Sequence, residues 1–135
     1  MEERILNEME YSKHRYVERI AEGTYKGFDY YVLSFGSHPC AYVDISDTPL
    51  AKKGYNEYDI SCHGGITYSR NHLHTVLKIG WFIGWDYNHY TDFCGLFDKG
   101  SFSDLFEPKK WTTSEIVTEC REVIDQILNL IEECC

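Results

Sequence analysis

The chain has 135 residues, enough for one domain with one closed core; 43% are hydrophobic and 26% charged, which excludes the disordered and fibrous classes. Its formal net charge of −9, from 22 acids against 13 bases, excludes a generic phosphate-backbone binder, because non-specific nucleic-acid affinity needs a cationic surface. No apolar run approaches the ~20 residues that cross a bilayer, and Met1-Glu2-Glu3-Arg4 carries no signal-peptide apolar region, so a cytoplasmic protein without a membrane partner is expected.

The charge leaves room for a small anionic ligand in a local basic pocket, or for a protein whose carboxylates mimic nucleic acid. In a reducing compartment the six cysteines, Cys40, Cys62, Cys94, Cys120, Cys134 and Cys135, read as free thiols, and no CxxC pair supports a structural zinc site. Eleven Tyr and seven Phe lift the aromatic share to 16%, which suits half-buried sheet faces, interfaces and pockets as well as a plain core.

In chain order, Glu2 to Ala21 reads as a helix over about 1–22, with Ile5, Met9, Tyr16, Val17 and Ile20 roughly on one face and Gly23 as its C-cap. The sheet region spans 25–92. Tyr25-Lys26-Gly27-Phe28-Asp29 reads as a tight hairpin turn leading into the strand formers Tyr30-Tyr31-Val32-Leu33-Ser34. Gly36-Ser37-His38-Pro39 breaks that run, and Cys40 to Ile45 reads as a second strand. Ser46 to Asn56 is a polar loop. Tyr58 to Cys62 and Ile66 to Tyr68 are short strand candidates. Ile79-Gly80-Trp81-Phe82-Ile83-Gly84-Trp85, apolar on both faces, reads as the central strand.

After an irregular stretch, Thr112 and Glu115 form a T-x-x-E capping box. A helix over 112–133 follows, its stripe of Ile116, Cys120, Val123, Ile124, Ile127 and Ile131 placed to cover one sheet face. The fold class expected is a single α+β domain over 1–135: an antiparallel or mixed sheet of about five strands flanked by N- and C-terminal helices.

The stretch from Phe35 to Asp92 concentrates the residues that carry chemistry. Gly64-Gly65 can present backbone N–H groups to an anion, or can simply make a hairpin turn. Trp81 and Trp85, four apart on a strand, share a face with Ile83 between them, while Gly80, Phe82 and Gly84 share the other. That indole pair can stack a purine or pack under a helix. A ligand pocket built from this region uses Tyr42, Tyr68, Trp81 and Trp85 for the base, and Gly64, Gly65, Ser69, Arg70 and Lys78 for phosphates. His38, His63 and Asp86 hold sugar or base edges, and His89 completes the set.

The alternative is a metal set of His72, His74, Asp86 and His89, although no H-E-x-x-H spacing is present. Cys62 and His63, as strand neighbours, point to opposite faces and make no nucleophile–base pair.

The blocks His38-Pro39-Cys40-Ala41-Tyr42-Val43, Cys62-His63-Gly64-Gly65-Ile66-Thr67-Tyr68-Ser69 and Gly80-Trp81-Phe82-Ile83-Gly84-Trp85-Asp86-Tyr87-Asn88-His89 resemble a group of small proteins encoded by phages and prophages of Gram-positive bacteria. The resemblance covers roughly Tyr30 to Asp92 and brings no catalytic residues with it. It implies a viral accessory protein acting inside the host cell; small phage proteins often counter host defences, and some are sponges for cyclic nucleotide signals.

The leading expectation is therefore a non-enzymatic, cofactor-free pocket for a nucleotide-like signal, in a homo-oligomer. The alternatives are a metal-dependent phosphodiesterase or nucleotide hydrolase using the central histidines, and an acidic protein–protein inhibitor that mimics nucleic acid.

Overall fold

The computed structural model describes residues 17–35, 38–54, 57–89, 92 and 109–134. Five antiparallel strands, β1 (Glu18–Tyr25), β2 (Phe28–Ser34), β3 (Pro39–Asp44), β4 (Tyr68–Arg70) and β5 (Phe82–Asp86), form one sheet in the order β1-β2-β3-β5-β4, and the helix α1 (Thr113–Cys134) packs on it. This is an α+β fold. Among the described residues, no helix is long and apolar enough to cross a membrane.

The β1–β2 hairpin turns through Lys26 and Gly27, both at positive φ (49° and 87°), as a two-residue turn matched to strand twist demands. The segment expected to end an N-terminal helix, residues 18–21, is instead part of β1. Glu18 pairs with Ser34 and Gly23 with Tyr30, so Gly23 lies within a strand rather than capping a helix. The tight turn supplies β1 with a partner whose backbone bonds outweigh the helical spacing of its apolar residues. Residues 1–16 of the expected helix lie outside the described residues.

Period-2 alternation sorts the sheet into two faces. Toward α1 point Tyr30, Val32, Ala41, Val43, Ile83 and Trp85, which join Ile116, Val117, Cys120, Val123, Ile124 and Ile127 in the main core. Toward the other face point Tyr31, Leu33, Cys40, Tyr42 and Phe82, with Leu73 folded over them. The expected stripe of α1 is buried from Ile116 to Ile127, with Ile131 partly buried, and its cap is in place: Glu115 N–H donates to Thr112 Oγ1 (3.1 Å) and Thr112 N–H to Glu115 Oε1 (3.0 Å).

Three strand expectations shift. The strand expected over Ile66 to Tyr68 runs instead over Tyr68–Arg70, as β4. Residues 58–62 form no strand, because the Gln126 side chain of α1 takes up the Ser61 backbone: Ser61 N–H donates to Gln126 Oε1 (2.7 Å) and Gln126 Nε2 to Ser61 O (2.8 Å). The strand expected from Ile79 begins only at Phe82, since Trp81 N–H is claimed by Ser46 Oγ (2.8 Å) and Leu77 and Ile79 stand in solvent. The sheet's centre is β3, with β5 next to it.

Candidate functional site

Two groups of polar residues adjoin each other beside β5. The first is a pocket of about 530 Å³ on the face away from α1. Tyr42 from β3 and Tyr68 from β4 flank Gly84 of β5, their rings crossed edge to face with centroids 5.1 Å apart. An ideal Cβ on Gly84 would stand 2.3 Å from Tyr42 Cδ1, so only glycine leaves this space. Phe35, stacked on His38 at 5.7 Å, and Cys40 also line the pocket, while Asp86, Asn88 and His89 add polar edges.

Burial pushes the His38 imidazole below its usual value, against the opposing pull of Asp86 and Asp92, so His38 offers a neutral donor and acceptor at neutral pH. Asp86 accepts from Asn88 N–H (3.1 Å) and from Thr67 Oγ1 (3.3 Å). Burial drives the Cys40 thiol up to about 12, so it is no nucleophile.

The second group centres on Asp92, which is 1% exposed and which its sequence context does not single out. His63 Nε2 lies 2.9 and 2.8 Å from its two carboxylate oxygens, and His89 Nδ1 lies 3.0 Å from Oδ2. Trp111 Nε1 (2.9 Å) and the backbone N–H of His89 (3.0 Å) also donate to it. Burial pushes the Asp92 carboxyl up, but these donors outweigh it and hold the group below its usual value. The His63 ring stacks on Tyr87 (4.9 Å, 7°) and is tilted against Trp111 at 4.8 Å. His89 belongs to both groups, since it lines the pocket and contacts Asp92.

No family model, no curated protein and no solved structure matches this chain.

The other expected site residues are distributed around these groups. Trp81 and Trp85 do share a face, but it is the face under α1. Trp85 also borders the pocket, but it is 1% exposed, with Nε1 donating to Tyr87 Oη (2.9 Å) and Glu119 Oε1 (3.0 Å), so its indole offers no stacking surface. Trp81 is half-buried and donates from Nε1 to Ser69 Oγ (2.8 Å), which places Ser69 on that face too.

Gly64 and Gly65 adopt positive φ (73° and 81°), but Gly65 N–H closes a turn onto Cys62 O (3.0 Å). Gly64 serves instead as a close seat for His89, whose Nε2 would be 2.3 Å from a Cβ there. Lys78 lies in another cleft, bound to Asp44 (2.5 Å) and Asp29 (3.2 Å), where its charge is already matched. Arg70 is exposed at the end of β4 and does not line the pocket.

Of the alternative metal set, His72 and His74 are exposed neighbours 6.5 Å apart. The donors that converge among the described residues are His63, His89 and Asp92, so only His89 is common to both sets. The H-x-x-D spacing from His89 to Asp92 is the one sequence signal of this convergence.

Proposed function

We propose that the chain is a binding protein that sequesters a nucleotide-derived signal and leaves it chemically unchanged. The observation that carries this reading is the make-up of the open-face pocket: the half-buried Tyr68 ring, braced edge to face by the buried Tyr42, with His38, Asp86 and His89 around them. Base–aromatic stacking contributes ~1–3 kcal/mol, and a neutral imidazole with a carboxylate can read base N–H and ribose hydroxyl groups. Among the described residues no Lys or Arg lines this pocket. In this reading base and sugar enter it and the phosphates face outward.

The resemblance of the central blocks to phage-encoded proteins supplies the setting, an anti-defence protein in the host cytoplasm. The exposed Leu77 and Ile79 support a contact with a second copy in a homo-oligomer.

Calorimetry against cyclic nucleotides and ADP-ribose derivatives tests the reading. One member of the panel is expected to bind and to be recovered intact, with affinity at least about tenfold weaker in Tyr68→Ala, the value of ~1.4 kcal/mol of lost stacking. Absence of heat with every member, from folded protein, rejects it. The convergence of His63, His89 and Asp92 beside the pocket favours a second reading, a metal-dependent nucleotide hydrolase. Ligand cleavage on addition of Zn²⁺ would select that reading.

A further inference from the structure

We infer that His63, His89 and Asp92 form a binding site for a zinc-class divalent ion. The inference does not depend on what the neighbouring pocket holds or on whether any reaction follows.

Three distances point to an ion. Ligand atoms at about 2.0–2.1 Å around a tetrahedral ion stand about 3.3–3.4 Å apart. His63 Nε2 and His89 Nδ1 lie 2.8 and 3.0 Å from Asp92 Oδ2, and one donor atom from each of the three residues falls within a 4.8 Å span. The two contacts to Oδ2 fall short of the ligand spacing by about 0.3–0.6 Å.

The surroundings fix these groups as outer contacts fix metal ligands. Trp111 Nε1 orients the carboxylate through Oδ1, and His89 N–H holds Oδ2. The His63 ring stacks on Tyr87 and leans on the tilted Trp111, and the His63 backbone N–H is tied to Glu119 Oε2 of α1 (3.0 Å). Gly64 leaves the room that the His89 ring occupies.

The donor chemistry selects the ion. Two imidazoles with one carboxylate suit Zn²⁺ and its neighbours, whereas Mg²⁺ and Ca²⁺ prefer all-oxygen sets. Zinc sites with three protein ligands of these types are a known class.

The test is titration of the purified, chelator-treated full chain with Zn²⁺ and with Co²⁺, followed by calorimetry and by the visible absorption of bound Co²⁺. One equivalent is expected to bind. His63→Gln and His89→Gln should each weaken binding at least tenfold. The double variant His72→Gln/His74→Gln should bind like the parent, and circular dichroism confirms that each variant is folded. The inference is overturned if the folded parent takes up neither ion. It is equally overturned if the bound equivalent survives in both single variants, or is lost with His72 and His74.

Discussion

Gly84 and Tyr42 face each other across the β3–β5 ladder so closely that a methyl group on Gly84 would press to 2.3 Å from the Tyr42 ring and 2.6 Å from the Ala41 carbonyl. The ring fills the space a side chain at position 84 would need, and the Tyr42–Tyr68 pair closes over it. Gly84→Ala is expected to force Tyr42 off its rotamer at a cost of about 1–3 kcal/mol. The urea midpoint measures this, and a parent-like midpoint would mean that the Tyr42 ring and the Ala41 carbonyl both give way without cost.

Trp85 belongs to the core. Its indole is buried against α1 and shares Glu119 with the Tyr87 hydroxyl. Trp85→Ala should cost about 3–5 kcal/mol. Glu119→Ala, which strips a partner from Trp85, Tyr87 and the His63 amide, should cost about 1–3 kcal/mol. If Trp85→Ala retained full stability and lost only ligand affinity, the indole would be a stacking platform after all.

The Asp44–Lys78 pair gives the fold a pH dependence at both ends. Burial pushes the Asp44 carboxyl up, but Lys78 and the N–H and hydroxyl of Ser46 together bring it below its usual value. Its stabilising contribution is therefore complete above the unfolded-state value of about 3.9 and is lost as pH falls through the lower folded value. For Lys78, the hydrogen bond to Asp44 is the largest cause of a raised value. That contribution is complete below 10.5 and is lost as pH rises through the folded value. Thermal melts of Asp44→Asn should show a flatter acid limb than the parent, and those of Lys78→Met a flatter alkaline one. Identical limbs would show the pair to be idle.

The helix cap can be tested by a single deletion. Thr112→Ala removes the acceptor for Glu115 N–H and should destabilise the protein by about 1 kcal/mol. Thr112→Ser should restore most of this in the same chemical melts.

The thiols of Cys40 and Cys62 are both driven up to about 12, chiefly by burial. With the thiolate scarce near about pH 8, alkylation of both in native protein should lag well behind the urea-unfolded chain, read by mass spectrometry of the labelled peptides. Equal rates would show that the thiols are accessible and ionised.

Elements defined by neighbours in sequence are legible from the amino acids alone. The Lys26-Gly27 turn, the β2 and β3 runs and the capped α1 all announce themselves within a few residues. The α+β class follows from them. Residues 18–21 mislead because their apolar spacing fits a helix and their strand partner comes only after the turn. Residues 58–62 mislead because the group that satisfies them, Gln126, is 65 positions away from Ser61.

The site is half legible for the same reason. Tyr42, Tyr68, His38, Asp86 and His89 stand out by composition and do gather at one pocket. Period-2 alternation correctly gives Trp81 and Trp85 a common face, but it cannot say which face the helix covers. Asp92 is inconspicuous because its importance comes from His63, 29 residues earlier, and from Trp111, 19 residues later.

The strand order has a consequence for assembly. β4 precedes β5 in the chain yet lies outside it, with β5 as its sheet partner. The sheet thus falls into two pieces, the β1-β2-β3 meander and the β4–β5 hairpin, joined through a long loop. His38, Cys40 and Tyr42 come from the first piece, and Tyr68, Asp86 and His89 from the second. The pocket is the seam between them, and it comes into being only when the hairpin docks along β3.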